Sequence, residues 1–442
     1  MKQNKIEYFH FFALYFILFI DCALFNSRGF GIGRLFAVLI VVGSIFFSVE
    51  KNIFLIAFCL PFSSILKLEA NSITVLPILY FIVILKLGFQ EKLKFNCNSF
   101  FAMGIFLVFQ ILCCVFYDAS LISIISFSLS IMFILVCGKY LNKQEWDNGY
   151  LFKNIALFFV GAVCLETFCA DIFQQIPYYI SAEKHSMLVA AERFAALNID
   201  PNEYAQLVLI ALGLIIAVIA TIKRYSVKIL CFIPLIYLIY KGFFTYSKSY
   251  ALTLLILIVI ISVIFLFKFV KKRGTESLIV IIPLCMFFLI GCYFIYANVL
   301  TPIFEKRSTD DLLTGRDEIW LEYLSALFSK IDCLIWGCGI SNSTYLVRGL
   351  GETHVPHNLY IEYLAQFGFV GLFILGVVLK DVLKNIVNKT KTYMIICILA
   401  FAITSFGISA NANDAIFFIL IIACIPYQQL ATGKSLYAEN KD

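Results

Sequence analysis

The apolar positions of this chain fall in long unbroken runs, and the polar positions gather in the short breaks between them. Runs near 8–25, 34–49, 52–66, 72–89, 99–117, 120–140 and 152–170 have the length of membrane spans. A second set follows near 203–222, 226–242, 247–269, 278–297, 358–379, 392–409 and 411–427. A spanning helix needs about 20 apolar residues, so the pattern predicts an all-α polytopic membrane protein with about 12–14 transmembrane helices. By far the longest polar break is 298–357, which predicts one large helical loop on a single side of the membrane. The chain accordingly divides into an N-terminal transmembrane bundle (1–171), a loop (172–202), further spans (203–297), the large loop (298–357), and C-terminal spans with a tail (358–442). Pro61, Pro77, Pro234 and Pro283 fall inside expected spans, where neighbouring helices can re-satisfy the freed carbonyls.

Composition agrees. The chain is 62% apolar and 17% aromatic, with 14% charged residues and a mean hydropathy of +0.94, too little charge for the surface of a soluble protein this long. No small-residue cleavage site follows the first run, which reads as a retained span. Most of the 15 cysteines, such as Cys113, Cys114, Cys231 and Cys397, lie in apolar runs, where cysteine acts as a small hydrophobe. Cys333 and Cys338 in the large loop could pair, although their spacing does not demand it. No CxxC is present, and neither a metal nor another cofactor is expected.

Charge orients the chain. With a cytoplasmic N-terminus, cytoplasmic loops and both termini collect 22 of the 34 Lys and Arg residues, as the positive-inside rule requires. Nine of the other 12 cluster in 184–193, 241–248 and the large loop. Basic residues concentrated against the rule point to an anionic ligand outside the cytoplasm, and nothing in the pattern points to nucleic acid.

Each cluster supplies candidates. In 172–202 an apolar-patterned short helix carries Arg193, followed by an Asp-Pro-Asn turn in which Asp200 or Asn202 can cap the next span, with Pro201 in its first turn. Alone, Arg193 reads as a snorkelling interfacial arginine. Lys248, among Tyr246, Ser247 and Ser249, heads a span, where lysine often serves only as an anchor. The stretch 314–330 has a helical pattern, with Thr314 as N-cap, Asp317, Glu318 and Glu322 in the early turns, and an apolar stripe of Ile319, Trp320, Tyr323, Leu324, Leu327 and Phe328. Arg316 stands at its start, where a guanidinium and free backbone N–H groups can hold phosphate. His357 lies between Pro356 and Asn358 where loop becomes helix. A neutral imidazole there can accept a proton from a hydroxyl, although alone it also reads as an interfacial histidine. His354 lacks that helix-end position.

In their order along the chain these elements resemble the O-antigen ligase/polymerase superfamily of bacterial membrane glycosyltransferases. The resemblance rests on Arg193 with Pro201-Asn202, Ser247-Lys248, Gly315-Arg316 with Trp320, Gly337-Cys338-Gly339, and His357-Asn358 with Gly368 and Gly371. It covers roughly 190–375; the N-terminal half matches only as a run of spans. The family usually has arginine where this chain has Lys248, which keeps the charge and loses the two-pronged fork.

The resemblance implies a GT-C-like fold, a polyprenyl-diphosphate-linked oligosaccharide donor, and metal-independent inverting transfer on the extracytoplasmic face of the bacterial inner membrane. Arg316, Arg193, Lys248 and Asn358 would bind the donor, and His357 would be the catalytic base. The expected activity is polymerisation of lipid-linked repeats into O-antigen or capsular-type polysaccharide, beside a flippase and a chain-length regulator. A ligase moving finished glycan onto a lipid or protein acceptor shares the same motifs. A lipid-linked oligosaccharide flippase is a rival of another class. Transporters place polar groups at mid-membrane, whereas mid-span charge here is mainly Asp21 and Glu166. A scaffold without catalysis leaves the outer basic clusters without a role.

Overall fold

The computed structural model of the protein describes residues 7–28, 33–63, 65–66, 74–90, 97–143, 148–173, 193–198, 200–222, 225–273, 316–348, 355–389 and 392–408, with 293, 297 and 301 singly. The described chain runs α1 (Tyr8–Arg28), α2 (Arg34–Phe46), α3 (Val49–Cys59), α4 (Val75–Phe89), α5 (Cys97–Tyr117), α6 (Leu121–Lys143) and α7 (Asn148–Ile172). It continues with α8 (Pro201–Thr221), α9 (Tyr225–Phe243), α10 (Lys248–Arg273), α11 (Arg316–Ser329), α12 (Ile331–Trp336), α13 (Leu359–Lys389) and α14 (Thr392–Thr404). No strand occurs among the described residues. Six described helices are long and apolar enough to cross a membrane, and five shorter apolar helices accompany them. The chain is an all-α polytopic membrane protein. The spans expected at 278–297 and 411–427 lie, apart from single residues of the first, outside the described residues, as do Thr314, Gly315 and His354.

The chain departs from the sequence pattern at 34–66. Two spans were expected there, but α2 has 13 residues and α3 has 11. Ser48 starts a new helix by accepting the Lys51 N–H at 3.4 Å, and Pro61 lies in a 3-10 turn, Leu60–Phe62, that ends α3. The stretch Asn52–Phe62 is wholly buried, so this short element is an internal prop among its neighbours. Pro77 likewise sits in the first turn of α4 rather than mid-span. Pro234 is inside α9 as expected.

One continuous apolar core joins helices from both ends of the chain. Within it α8 packs on α7, α9, α10 and α14, and α13 packs on α5. The charges within spans have structural partners: Asp21 accepts the Gly33 N–H at 2.6 Å, and Glu166 accepts from Asn198 Nδ2 at 3.0 Å.

A second, smaller core forms where the large loop folds on itself, from Tyr323, Ala326, Leu327, Cys333, Cys338, Leu346, Val347 and Ala365. In α11 the buried face is Tyr323, Ala326 and Leu327, while Leu321 and Phe328 are exposed. Phe328 therefore leaves the expected stripe, because the i, i+3, i+4 set centred on Tyr323 faces the loop core. Beyond α12 the chain docks on α13 at a break. Gly368 has φ 57° and ψ −176° inside α13, which frees carbonyls upstream. The Cys338 N–H donates to Ala365 O at 2.8 Å and the Gly339 N–H to Gln366 O at 2.9 Å. Asn342 Nδ2 ties the same turn to Tyr117 O at 2.6 Å. The two glycine motifs read separately in the sequence are thus two halves of one joint.

Candidate functional site

The segment 193–202 and the head of α10 are built as one polar unit. Arg193 Nε donates to Thr245 O at 2.8 Å and its Nη2 to Asn202 Oδ1 at 3.2 Å. Ser247 Oγ donates to the same Asn202 oxygen at 2.8 Å and lies 2.9 Å from Ser249 Oγ. Asp200 orients Asn202 by accepting its backbone N–H at 2.8 Å and its Nδ2 at 2.9 Å. Asp200, one of the two caps the sequence offers, is also the N-cap of α8, with Pro201 in the first turn. Of the expected helix around Arg193, the part upstream lies outside the described residues, and 193–198 is a turn. The Phe194 N–H donates to Phe244 O at 2.9 Å, drawing this backbone onto the 244–246 turn instead of into a helix.

Arg316 opens α11 and reaches the same unit from the other side. Its Nη1 donates to Gly407 O at 3.0 Å. A β-carbon on Gly407 would lie 3.1 Å from that nitrogen and 3.5 Å from Ser249 Oγ, so Arg316 and Ser249 border one glycine. A guanidinium carries five N–H donors, and Gly407 O is its hydrogen-bond partner among the described residues. Burial pushes its pKa below the usual arginine value, and the Asp200 carboxylate opposes that shift. A partly desolvated arginine remains charged, and it attracts an anion more strongly than a solvated one.

His357 is brought to this end by two ties. Trp320 Nε1, one turn along α11 from Arg316, donates to Pro356 O at 2.9 Å. Asn358 caps α13 by accepting the Tyr360 N–H at 3.0 Å and the Ile361 N–H at 3.3 Å. Asn358 is only 3% exposed, so its oxygen fixes the start of α13 rather than standing open to a ligand. Tyr360 in turn donates to Ala402 O at 2.7 Å, and its ring meets Phe406 at 4.7 Å. That links α13 to the 405–407 turn receiving Arg316. His357 has φ 47°, Tyr246 φ 47° and Ala196 φ 50°, a region L-residues seldom occupy. Such strain gathers where function over-determines the backbone.

Residues 233–376, which hold Lys248, Arg316, His357 and both glycine motifs, match the family model described as O-antigen ligase. That match covers about a third of the chain and supports a likeness to the O-antigen ligase/polymerase superfamily. No curated protein and no solved structure matches it.

Among the described residues, the basic side chains of the three outer clusters separate into two kinds. Lys241 is bound to Asp171 at 2.5 Å, lies 5.0 Å above the Phe194 ring, and shares Asp171 with Tyr237 at 3.0 Å. Lys330 donates to Leu346 O at 3.1 Å, and the exposed Arg348 lies over Tyr345. These three are structural. Arg193 and Arg316 instead meet around Asn202, Ser247, Ser249 and Gly407, and Lys248 is half-buried at the head of α10 within that unit. Sequence reasoning missed Ser249 and Gly407 as members of the site. Serine beside lysine carries no distinctive spacing, and Gly407 acts through a carbonyl that every residue possesses.

Proposed function

We propose that the protein is a glycosyltransferase that joins polyprenyl-diphosphate-linked oligosaccharide repeats into a surface polysaccharide, working on the extracytoplasmic face with both termini in the cytoplasm. The observation that carries this reading is the meeting of Arg193, Ser247, Ser249 and Arg316 at one end of the bundle, tied through Trp320 and Pro356 to His357. Arg316, Arg193 and Lys248 hold the donor diphosphate. His357 takes the proton from the acceptor hydroxyl as its oxygen attacks the anomeric carbon. The carbon–oxygen bond to the diphosphate breaks on the opposite face, which inverts the centre. The leaving lipid diphosphate carries the released charge into the arginines, so cations supply the stabilisation that an acid supplies elsewhere. The exposed aromatic rings of Tyr240 and Phe244 beside this end suit the flank of a lipid or sugar path. A flippase and a chain-length regulator would act before and beside it.

A ligase reading is favoured by the description of the matched family, O-antigen ligase. It uses the same chemistry, with finished glycan as donor and a lipid or protein as acceptor. A gel of cell glycans from a deletion strain separates the two. Loss of the ladder with one repeat retained identifies the polymerase. Accumulation of long lipid-linked chains identifies the ligase, and an unchanged ladder overturns both.

A further inference from the structure

The short helix α12 and the turn after it hold two cysteines in one buried pocket of the loop core. Cys333 is 1% exposed and Cys338 is 0% exposed, and both belong to the cluster that includes Tyr323 and Leu346. The backbone brings them together. The Gly337 N–H closes on Cys333 O at 2.7 Å, ending the helix. Gly337 then takes φ 78° and ψ 168°, a conformation essentially reserved for glycine, and the chain turns back. Cys338 is pinned by its own N–H to Ala365 O at 2.8 Å. Both stand as free thiols in the same buried cluster, and the Cys333 thiol donates to the neighbouring Asp332 Oδ2 at 3.8 Å.

We propose that Cys333 and Cys338 form a disulfide in the mature protein, clamping the turn that docks on the break in α13. The inference rests on the extracytoplasmic placement of the large loop, where disulfides persist. The oxidant is the disulfide of an oxidised dithiol protein. The thiolate of one cysteine, written here for Cys333, attacks one of its sulfurs, giving a mixed disulfide and one released thiolate. The deprotonated Cys338 sulfur then attacks Cys333, the new S–S bond forms, and the second oxidant thiolate leaves. Two electrons pass to the oxidant, and the two thiol protons end on its reduced pair. Burial places this exchange before the turn docks and shields the bond from reductants afterwards.

Trypsin cleavage after Lys330 and Arg348 isolates both cysteines, and no other, in the peptide 331–348. Protein extracted from its native membrane is denatured in excess alkylating reagent without reductant, digested and weighed. A Ser325→Cys variant is labelled in parallel on intact cells with a membrane-impermeant maleimide; Ser325 is exposed on α11 and falls in a different peptide. The expected peptide is lighter by two hydrogens and unalkylated, and Cys333→Ser or Cys338→Ser abolishes that shift. Two alkylated thiols in wild type overturn the proposal, as does a cross-link of either to Cys113, whose Sγ lies 3.8 Å from Trp336 O. The Ser325→Cys result says which idea failed. Labelling from outside with free thiols sinks the disulfide alone, while protection with free thiols sinks the placement of the loop as well.

Discussion

A β-carbon added to Gly337 would lie 2.6 Å from the backbone nitrogen of Gly368, and one added to Gly368 would lie 2.5 Å from the nitrogen of Gly337. Two backbones meet here with no room for any side chain, and both residues have positive φ. Alanine at either position should cost roughly 1–3 kcal/mol in backbone strain and about 1–3 kcal/mol in overpacking. Gly376, also in α13, has nothing within 4 Å of an added β-carbon, and Gly376→Ala should stabilise by about 0.4–1 kcal/mol. Thermal unfolding of the purified protein in one detergent checks both. Equal melting of Gly337→Ala and Gly376→Ala would remove the joint from the account.

Asn202 predicts a second outcome. Its Oδ1 accepts from Arg193 and from Ser247 at once, so Asn202→Ala leaves a guanidinium and a hydroxyl short of an acceptor. A stranded polar group costs about 1–3 kcal/mol. Donor affinity should fall about tenfold if Asn202 positions Arg193 for the diphosphate. A purely structural Asn202 would lower the melting temperature and leave donor affinity unchanged.

These two cases show what was legible in the sequence. Membrane class, helix type, Asp200 as a cap and the α11 helix follow from local composition and period, which Asp200-Pro201 and Arg316–Ser329 display openly. Arg193, Lys248 and Arg316 could be named because basic residues break the positive-inside rule on one side. What could not be read was the meeting of distant segments. Nothing in Gly337 or Gly368 alone says that each fits against the other across 31 positions. The runs 34–49 and 52–66 read as two spans because apolar content does not distinguish a buried internal prop such as α3 from a lipid-facing helix. Asn358 reads as a polar ligand group beside His357, while the structure gives its oxygen to a helix cap.

Lys248→Arg should be tolerated or should raise activity. Lys248 heads α10 next to Ser247 and Ser249, and a guanidinium there adds a fork suited to phosphate without changing charge. Lys248→Met keeps much of the stem and removes the charge, and should lower donor affinity by a factor of a few. Polymer yield and donor binding in the same membranes check this. If Lys248→Met binds donor as wild type does, the residue is an anchor and leaves the site.

His357 and Arg316 have separable roles in the proposed transfer, and this gives the sharpest prediction. With His357 as the proposed base for the acceptor proton, His357→Ala should abolish polymer while donor binding stays near wild type. Arg316→Ala should weaken donor binding itself, since a charge-assisted hydrogen bond contributes about 1.5–3 kcal/mol, or roughly one to two orders of magnitude in affinity. Gly407 O would also lose its donor in that variant. Arg316→Lys should rescue part of the loss, because one ammonium cannot serve Gly407 O and a diphosphate with the same geometry. The measurement is donor affinity alongside chain length for the three variants, each first shown to melt like wild type. Normal chains from His357→Ala would remove it as the base, and Asp317, whose Oδ1 is buried without a hydrogen-bond partner among the described residues, would be tested next. Wild-type donor affinity in Arg316→Ala would break the diphosphate assignment, because the half-buried charge at the head of α11 would then serve only to fasten the 405–407 turn.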